Sequence, residues 1–327
     1  MKIIFWGTPE YAVKSLENLI SSHHEILAVI TQPDRKRGRG NKLVPSPIKE
    51  ISIKNNIPVL CPEKLKENKS FKEKLKEFNC DVFIVVAYGK ILSKEILDIP
   101  KYGAWNAHAS LLPKWRGAAP IQWALLSGDL YTGVGIMKME VGLDTGDLLI
   151  EDKIDIDKND NLESLSLNLS TLSAKLLIKA LDIISNNAKN KLKTLPQNQI
   201  KREIKYARLI NKADYAINFN EKAIEVKRKV NGLYPKAFIK YKNQIIKILK
   251  VKLLENNNYI EEVSNSMHNY INDSSTILGI VKNEGIVIST LTKPILIEAI
   301  KIEGKNDAKG NQLIQQLKPI IGEKFGI

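Results

Sequence analysis

Cysteine is scarce in this sequence. The 327 residues include two cysteines, Cys61 and Cys80, in no spacing typical of a metal site or a disulfide framework. Neither needs a partner, which suits a reducing cytoplasm. His23, His24 and His268 form no ligand set with these cysteines in the sequence, so we expect no metal.

Long apolar runs are also missing. The apolar segment 1–6 breaks at Gly7 and is too short for a signal peptide or a membrane span, and no run of about 18 apolar residues follows it. Hydrophobic residues make up 43% of the chain and charged residues 26%, a balance that argues against disorder. We therefore expect a cytoplasmic protein that acts without a membrane.

The glycine-rich motifs of nucleotide-binding proteins are absent. The first strand-like run ends in Gly7-Thr8-Pro9-Glu10, which has a single glycine rather than the repeated glycines of a dinucleotide fingerprint. No Walker-type loop follows any strand-like run. We therefore do not expect a typical NAD or ATP site. We predict instead that Thr8 caps a helix with Pro9 at its first position.

The sequence pattern changes near residue 200. Before it, apolar strand-like runs alternate with helical segments, which predicts an α/β fold with a doubly wound, mostly parallel sheet. After it, short strand-like runs at close spacing predict a small β-barrel. We therefore predict a first domain at 1–189, a linker at 190–204 and a second domain at 205–327. The predicted strands are 2–6, 26–31, 81–88, 104–109, 237–241, 244–254, 275–281, 285–289 and 295–302, and the predicted helices are 10–21, 63–78 and 162–185.

Positive charge is in excess. The chain has 50 Lys and Arg against 36 Asp and Glu, a net charge of +14, and residues 205–327 hold 20 of the former and 12 of the latter. A predicted loop at 33–47 adds a basic cluster with two glycines, which we expect to be mobile. The positive residues of this loop are Arg35, Lys36, Arg37, Arg39 and Lys42. Such a surface attracts polyanions, although an ordinary solvated surface is the alternative.

Three polar residues of the first domain form a candidate catalytic group. Asn106 and His108 alternate along the predicted strand 104–109, so both side chains project from one face, near a strand end where ligands collect in open α/β sheets. Asp144 is flanked by glycines two residues away on either side, so its loop can bring the carboxylate to the imidazole. An amide and a protonated histidine form an oxyanion hole, and a carboxylate can accept a proton from an amine. The alternative is a structural histidine and a turn-forming aspartate.

The sequence around these residues resembles the signature of the folate-dependent formyltransferases. Residues 106–120 read Asn-Ala-His-Ala-Ser-Leu-Leu-Pro-Lys-Trp-Arg-Gly-Ala-Ala-Pro, and residues 142–147 read Gly-Leu-Asp-Thr-Gly-Asp. Further similar segments lie at 31–34, 45–47, 85–89 and 132–137. The resemblance is strongest over 1–150. The basic loop and the additional C-terminal domain indicate a member of the family that acts on tRNA.

The resemblance implies a Rossmann-like formyltransferase domain followed by an OB-like barrel. It implies that Asn106, His108 and Asp144 catalyse transfer of the formyl group of 10-formyltetrahydrofolate, a co-substrate, to the α-amino group of methionyl-initiator tRNA, without a metal. It also implies a loop that receives the pterin of the folate. The residues of that loop are Ser110, Leu111, Leu112 and Pro113. The basic loop and the C-terminal domain are expected to bind the tRNA, and the protein is expected to be a monomer that serves translation initiation.

Three other interpretations remain open from the sequence. A folate formyltransferase could act on a small amine, such as glycinamide ribonucleotide or an amino sugar. A formyl-folate hydrolase could use the same three residues. Neither explains the basic loop or the positive second domain. A non-catalytic RNA-binding protein on a decayed enzyme scaffold would leave the joint presence of Asn106, His108 and Asp144 unexplained.

Overall fold

The structure is a computed structural model that describes residues 1–37, 40–187, 192–254 and 273–326, without the side chain of Arg37. The chain forms two compact units. The first unit comprises Met1–Pro120, Leu130–Ile156 and Leu165–Arg208. The second comprises Ile121–Asp129, Asp157–Ser164 and Leu209–Ile327. This division differs from the predicted one, because two short segments of the predicted first domain belong to the second unit and the predicted linker belongs to the first.

The elements before residue 208 are a mixture of strands and helices. The strands are β1 (Lys2–Gly7), β2 (Glu25–Ile30), β3 (Arg35–Arg37), β4 (Lys42–Val44), β5 (Val59–Leu60), β6 (Val82–Val86), β7 (Ala104–His108), β8 (Arg116–Gly117), β9 (Tyr131–Lys138), β10 (Leu148–Asp155) and β11 (Tyr206–Ala207). The helices are α1 (Val13–Ile20), α2 (Pro47–Lys54), α3 (Lys69–Glu77), α4 (Lys94–Leu97), α5 (Pro120–Ser127) and α6 (Leu162–Asn186).

A seven-stranded sheet forms the centre of the first unit, in the order β10-β9-β7-β6-β1-β2-β5. The pairs from β7 to β5 are parallel, whereas β9 runs antiparallel to both β7 and β10. All five residues of β6 and the last five of β1 are buried. Because apolar residues on both faces of these strands are covered, the strands read as continuous apolar runs in the sequence.

The order of the strands reverses beside β1. From β1 the chain forms β2 and β5 on one side, and then returns to form β6 and β7 on the other. The carboxyl ends of β1, β2, β6 and β7 meet at one edge of the sheet. In open sheets of this type, ligands bind outside that edge, near the switch in strand order.

Local capping explains where two helices begin, and it corrects one prediction. The hydroxyl of Ser46 accepts from the backbone N–H of Lys49 at the start of α2, and the Asn68 side chain does the same for α3. The predicted cap at Thr8 is wrong. Its hydroxyl donates to the carbonyl of Tyr88 at 3.0 Å, and Pro9 precedes a short 3-10 turn rather than occupying the first position of a helix.

The second unit is built on an antiparallel sheet. Its strands are β12 (Phe238–Tyr241), β13 (Gln244–Leu253), β14 (Ile277–Val281), β15 (Gly285–Ile288), β16 (Ile295–Ile302) and β17 (Ala308–Lys309), and its helices are α7 (Ala223–Gly232) and α8 (Gly310–Leu317). The strand order is β12-β13-β16-β15-β14, with β17 also paired to β16. The two helices pack on the sheet through buried apolar residues, including Val226 and Leu313, which join one hydrophobic core.

The predicted fold class is confirmed: a mostly parallel α/β sheet is followed by a separate antiparallel unit. Closure into a barrel stays a prediction, since the edge strands β12 and β14 are not paired with each other in the described part of the chain. The sequence analysis missed the helices α2, α5, α7 and α8, the strands β9 and β10, and the shorter elements α4, β3, β4, β5, β8, β11 and β17. It also extended α3 too far toward its N-terminus.

No helix in the described part of the chain is both long enough and apolar enough to cross a membrane.

Candidate active site

Asn106 and His108 lie at the carboxyl end of β7, between β6 and β9. Val85 on β6 pairs with Asn106, and Gly135 on β9 pairs with His108. His108 is 5% exposed, whereas Asn106 is partly exposed. The Asn106 side chain makes no hydrogen bond to another residue that the structure describes. Its amide is therefore free to donate to a substrate.

The imidazole of His108 lies between two acceptors. Its Nε2 is 2.9 Å from the carbonyl oxygen of Trp115, and its Nδ1 is 3.6 Å from Oδ2 of Asp144. Because a carbonyl can only accept, Nε2 carries a hydrogen. The 3.6 Å separation exceeds an ordinary hydrogen bond. A proton on Nδ1 would thus be attracted by the carboxylate and would still be available to an oxygen that develops negative charge nearby.

The loop between β9 and β10 brings Asp144 to this position. The side chain of Asp144 is 15% exposed, and its Oδ2 accepts from the backbone N–H of Gly117 at 2.8 Å. Gly146 allows the loop to pass close to β9, since a Cβ there would lie 1.7 Å from the carbonyl oxygen of Lys138. The approach of Asp144 to His108 therefore requires a glycine at position 146, two residues further along the loop.

The run Ser110–Pro113 is buried. The hydroxyl of Ser110 donates to the carbonyl of Lys114 at 2.6 Å, and Arg202 donates to the carbonyl of Leu112 at 2.6 Å. Arg202 also forms a bidentate pair with Glu151, and this bonding raises the pKa of Arg202. These contacts fix the backbone of the run. The role predicted for Ser110, Leu111, Leu112 and Pro113 in receiving the pterin stays a prediction.

The predicted basic loop contains a short hairpin. Strands β3 and β4 pair antiparallel, with Arg37 opposite Lys42, and Asn41 adopts a positive φ of 46° in the turn. We call residues 35–44 the basic hairpin. Lys36 and Lys42 are exposed, and Arg35 donates to the side chain of Gln32. Arg39 and the side chain of Arg37 lie outside the described residues. Paired strands thus stand on either side of this turn, and the mobility expected of the loop stays a prediction.

A cavity of about 300 Å³ opens beside the basic hairpin at the carboxyl ends of β1, β2 and β6. It is lined by Thr8, Pro9, Gln32, Pro33, Arg35, Val44, Ser46, Ala87, Tyr88 and Gly89. Gln32 links two of its walls, because its amide donates to the carbonyl of Tyr88 at 2.8 Å while its oxygen accepts from Arg35. The sequence analysis did not identify this cavity. It lies at the switch in strand order, where the fold favours ligand binding.

By its sequence, Arg116 could either contact a substrate carboxylate or phosphate or orient its own loop, whereas Gln197 was not singled out. Both are buried, and the guanidinium donates to Oε1 of Gln197 through Nε at 3.0 Å and Nη2 at 2.7 Å. Of the roles open to Arg116, the structure shows that it orients its loop. In the sequence, Arg116 is notable because it directly follows Trp115 in the segment that resembles the family signature. No sequence pattern marks Gln197, which lies in a polar segment 81 residues after Arg116.

The predicted absence of a metal is not tested, but one group of possible ligands exists in the described chain. Ligand atoms of His23, His24 and Asp182 lie within 4.8 Å of one another. Burial and the nearby α-amino group of Met1 lower the pKa of His24. Neither cysteine joins this group, and burial raises the pKa of Cys80 to about 12. The group lies near the start of β1 and β2, at the sheet edge opposite the carboxyl ends.

The comparisons with known proteins agree with this architecture. The family model described as "Formyl transferase" matches residues 1–181, and the one described as "Formyl transferase, C-terminal domain" matches residues 209–318. The chain belongs to the formyl transferase family. It is 54% identical over 330 residues to a protein named methionyl-tRNA formyltransferase from Prochlorococcus marinus (strain MIT 9515), with 99% of each chain covered. It is 42% identical over 337 residues to the protein of the same name from Synechococcus sp. (strain CC9902), again with 99% of each covered.

Solved structures share the fold. A sugar 3N-formyl transferase, crystallised in the presence of dTDP and 5-N-formyl-THF, has a TM-score of 0.62 and 21% identity, with 94% of this chain and 99% of that chain covered. An N-formyltransferase from Helicobacter canadensis, in complex with folinic acid and dTDP-3-aminofucose, has a TM-score of 0.59 and 21% identity, with 91% and 98% covered.

Proposed function

We propose that this chain transfers the formyl group of 10-formyltetrahydrofolate to the α-amino group of methionyl-initiator tRNA. The observation that carries the proposal is the arrangement of Asn106, His108 and Asp144 at the ligand-binding edge of the sheet. It occurs in a chain that matches proteins named methionyl-tRNA formyltransferase along 99% of its length. The chain acts in the cytoplasm as a monomer, and no metal takes part.

The reaction needs little covalent chemistry from the protein. The uncharged methionyl amine attacks the formyl carbon, a new C–N bond forms, and the bond from that carbon to N10 of the folate breaks. The proton lost by the amine ends on N10. No protein nucleophile is required, so the chain contributes by placing donors and a proton acceptor around one carbon.

The three residues have separate roles in this scheme. The free amide of Asn106 donates to the oxyanion of the tetrahedral intermediate. The Nδ1 hydrogen of protonated His108 donates to the same oxygen, while Nε2 stays bonded to the carbonyl of Trp115 at 2.9 Å. Asp144 stabilises the imidazolium from 3.6 Å and helps the amine proton to move toward N10. Preorganised donors of this kind are typically worth about 100- to 1000-fold each in turnover.

The loop after β9 offers surface to the folate. Val141 and Leu143, which flank the loop close to Asp144, are 72% and 58% exposed. Large exposed apolar side chains next to a catalytic group suit the flat pterin ring. In this arrangement the buried run Ser110–Pro113 receives the pterin, and hydrogen bonds to Lys114 and from Arg202 hold the backbone of the run in place.

The positive charge explains the choice of a tRNA acceptor over a small amine. The basic hairpin places Lys36 and Lys42 on the surface, on the same unit as the catalytic residues. We assign tRNA contacts to Arg35, Lys36, Arg37, Arg39 and Lys42 of this hairpin. Lysine and arginine side chains bind phosphates without reading bases, so they contribute affinity and salt dependence rather than selection of the initiator.

The direct test uses purified protein, 10-formyltetrahydrofolate and methionyl-initiator tRNA, with formylmethionine on the tRNA as the readout. Parallel reactions contain free methionine, an amino sugar nucleotide or no acceptor. Formylation of the charged tRNA alone is the expected result. Transfer to the small amine, or release of formate without an acceptor, would overturn the tRNA assignment. RNA binding without any formyl transfer would overturn the enzymatic proposal itself.

A further inference from the structure

The segment that follows α6 returns to the candidate active site. We call residues 195–207 the strap. Its first residue, Leu195, forms an isolated antiparallel bridge with Leu148 at the start of β10. Its last two form β11, which pairs in parallel with β8, so that Tyr206 lies opposite Arg116. The strap therefore contacts both of the segments that approach His108.

Gln197 lies within the strap and is 4% exposed. Its Nε2 donates to the carbonyl oxygens of Asp144 at 2.9 Å and Gly146 at 2.7 Å. Its Oε1 accepts both hydrogen bonds from Arg116. Both amide hydrogens thus donate and the amide oxygen accepts two hydrogen bonds, so the side chain has no hydrogen-bonding capacity left. In the flipped orientation the amide NH2 would face the guanidinium of Arg116, and the amide oxygen would face the carbonyls of Asp144 and Gly146. The assignment of the amide is therefore unambiguous.

The partners of Gln197 belong to the two segments that hold the catalytic side chains. Asp144 and Gly146 form the loop that presents the carboxylate. Arg116 lies between Trp115, whose carbonyl binds Nε2 of His108, and Gly117, whose N–H binds Oδ2 of Asp144. One buried amide therefore joins the backbone that carries the carboxylate to the backbone that orients the imidazole.

We propose that Gln197 is a positioning residue for formyl transfer, which acts by fixing the separation between the Asp144 carboxylate and His108. The inference rests on the proposed function, since the separation matters only if these two groups act together. All four hydrogen bonds of the Gln197 side chain go to protein atoms, so the residue acts through Asp144 and Arg116 rather than on the substrate. A displacement of about 1 Å in a reacting group is enough to lower a rate by about 100-fold.

The substitution Gln197→Glu separates positioning from folding. The carboxylate keeps the acceptor for Arg116 and strengthens that bond through charge. It cannot donate to the carbonyls of Asp144 and Gly146, so the loop loses its anchor while the buried guanidinium stays paired. The carboxylate oxygen that replaces Nε2 also faces both carbonyls, so we expect Tm to fall by several degrees in a protein that still folds. We expect kcat to fall by about 10- to 100-fold, with KM for folate and for tRNA within about threefold.

The matched control is Gln199→Glu, because Gln199 is an exposed residue of the same 3-10 turn. It introduces the same charge two residues away and should leave kcat unchanged. Equal effects of the two substitutions, or a rise in KM at unchanged kcat, would overturn the proposal. If Gln197→Glu does not fold, Gln197→Asn tests the same link, since its shorter amide cannot reach both partners. Wild-type kcat in a folded Gln197→Asn variant would also overturn it.

A double-mutant comparison identifies the route by which Gln197 acts. In an Asp144→Ala background, measured by single turnover with labelled formyl donor, Gln197→Glu should cause little further loss, because the carboxylate that it positions is already absent. A full additional loss would show that Gln197 does not work through Asp144. An inactive wild-type protein would instead contradict the proposed function, so the two failures are distinguishable.

Discussion

The candidate active site and the basic hairpin belong to the same unit, but their polar side chains differ in exposure to solvent. His108 is buried, the side chain of Asp144 is only 15% exposed, and both have partners at defined distances, whereas Lys36 and Lys42 extend into solvent. Burial strengthens each electrostatic contact and makes its geometry decisive. Exposure leaves charges screened and adaptable, which suits a polyanion met over a broad surface. We therefore expect substitutions in the first region to change turnover and those in the second to change binding.

The largest effect is expected from the oxyanion donors. Asn106→Ala and His108→Ala should each lower kcat by at least about 100- to 1000-fold, because each removes one donor to the tetrahedral intermediate. The fold should be retained, as measured by circular dichroism and thermal unfolding. His23→Ala is the control, since that imidazole is on the surface with 71% of its side chain exposed. Losses of only two- or threefold would contradict these roles.

A second large effect is expected from the backbone beneath Asp144. Gly146→Ala would place a methyl group 1.7 Å from the carbonyl oxygen of Lys138, so the loop must move. We expect kcat to fall by about 100-fold and the free energy of unfolding to fall by about 1–3 kcal/mol. Gly304→Ala serves for comparison: no atom lies within 4 Å of the added Cβ, but the φ of 80° strains an alanine, so this variant should lose stability and keep its kcat. Steady-state kinetics would refute the prediction if both variants kept wild-type kcat.

A smaller effect is expected when charge is removed from the basic hairpin. The double substitution Lys36→Ala with Lys42→Ala should raise KM for tRNA by about tenfold and leave kcat nearly unchanged. Each lost phosphate contact should reduce the slope of log affinity against log salt by about 0.7 to 0.9. The measurement is tRNA binding and formylation between about 50 and 200 mM salt.

The control for the hairpin removes the same charge elsewhere. Lys69→Ala with Lys74→Ala changes two exposed lysines on α3 and lowers the net charge equally. If this pair reproduced the effect, total charge rather than the hairpin would account for tRNA affinity.

The smallest effect is expected from the ion pair between Asp34 and Lys49, next to the start of the basic hairpin. Lys49 donates to both carboxylate oxygens of Asp34, and this pairing raises the pKa of Lys49. The pair therefore stabilises the folded state at neutral pH, and its contribution is lost as the pH rises through the raised pKa. Asp34→Asn should cost no more than about 1 kcal/mol in urea unfolding at pH 8. The difference from wild type should shrink as the pH rises through the raised pKa of Lys49, and a difference that grew there would contradict this account.

The sequence was sufficient to predict that the Asp144 loop approaches His108, because the signals are local, and the catalytic roles of these residues stay predictions. Alternation along one strand aligns Asn106 with His108, and flanking glycines mark the Asp144 loop. The buried strands β1 and β6 were equally clear as apolar runs. The helix α7 was missed although its buried residues Ala223, Val226 and Val230 have helical spacing.

The remaining features depend on contacts between distant residues. Thr8 is a reasonable helix cap by sequence, but the carbonyl of Tyr88 competes for its hydroxyl. The bond between Arg116 and Gln197 joins residues 81 apart, and no periodicity or motif connects them. The predicted linker 190–204 includes most of the strap, where the polar residue Gln197 is buried and bonded. Composition alone does not distinguish such a residue from a solvent-exposed one.

The strap also has a consequence for how the protein is made. A ribosome releases the chain from its N-terminus, so all seven strands of the first sheet emerge before Gln197 and β11. Until Gln197 emerges, the guanidinium of Arg116 lacks its buried acceptor, and burying an unpaired charge has a large free-energy cost. The nascent unit should therefore keep the region around Asp144 loosely packed, and activity should arise only after residue 207 has left the exit tunnel.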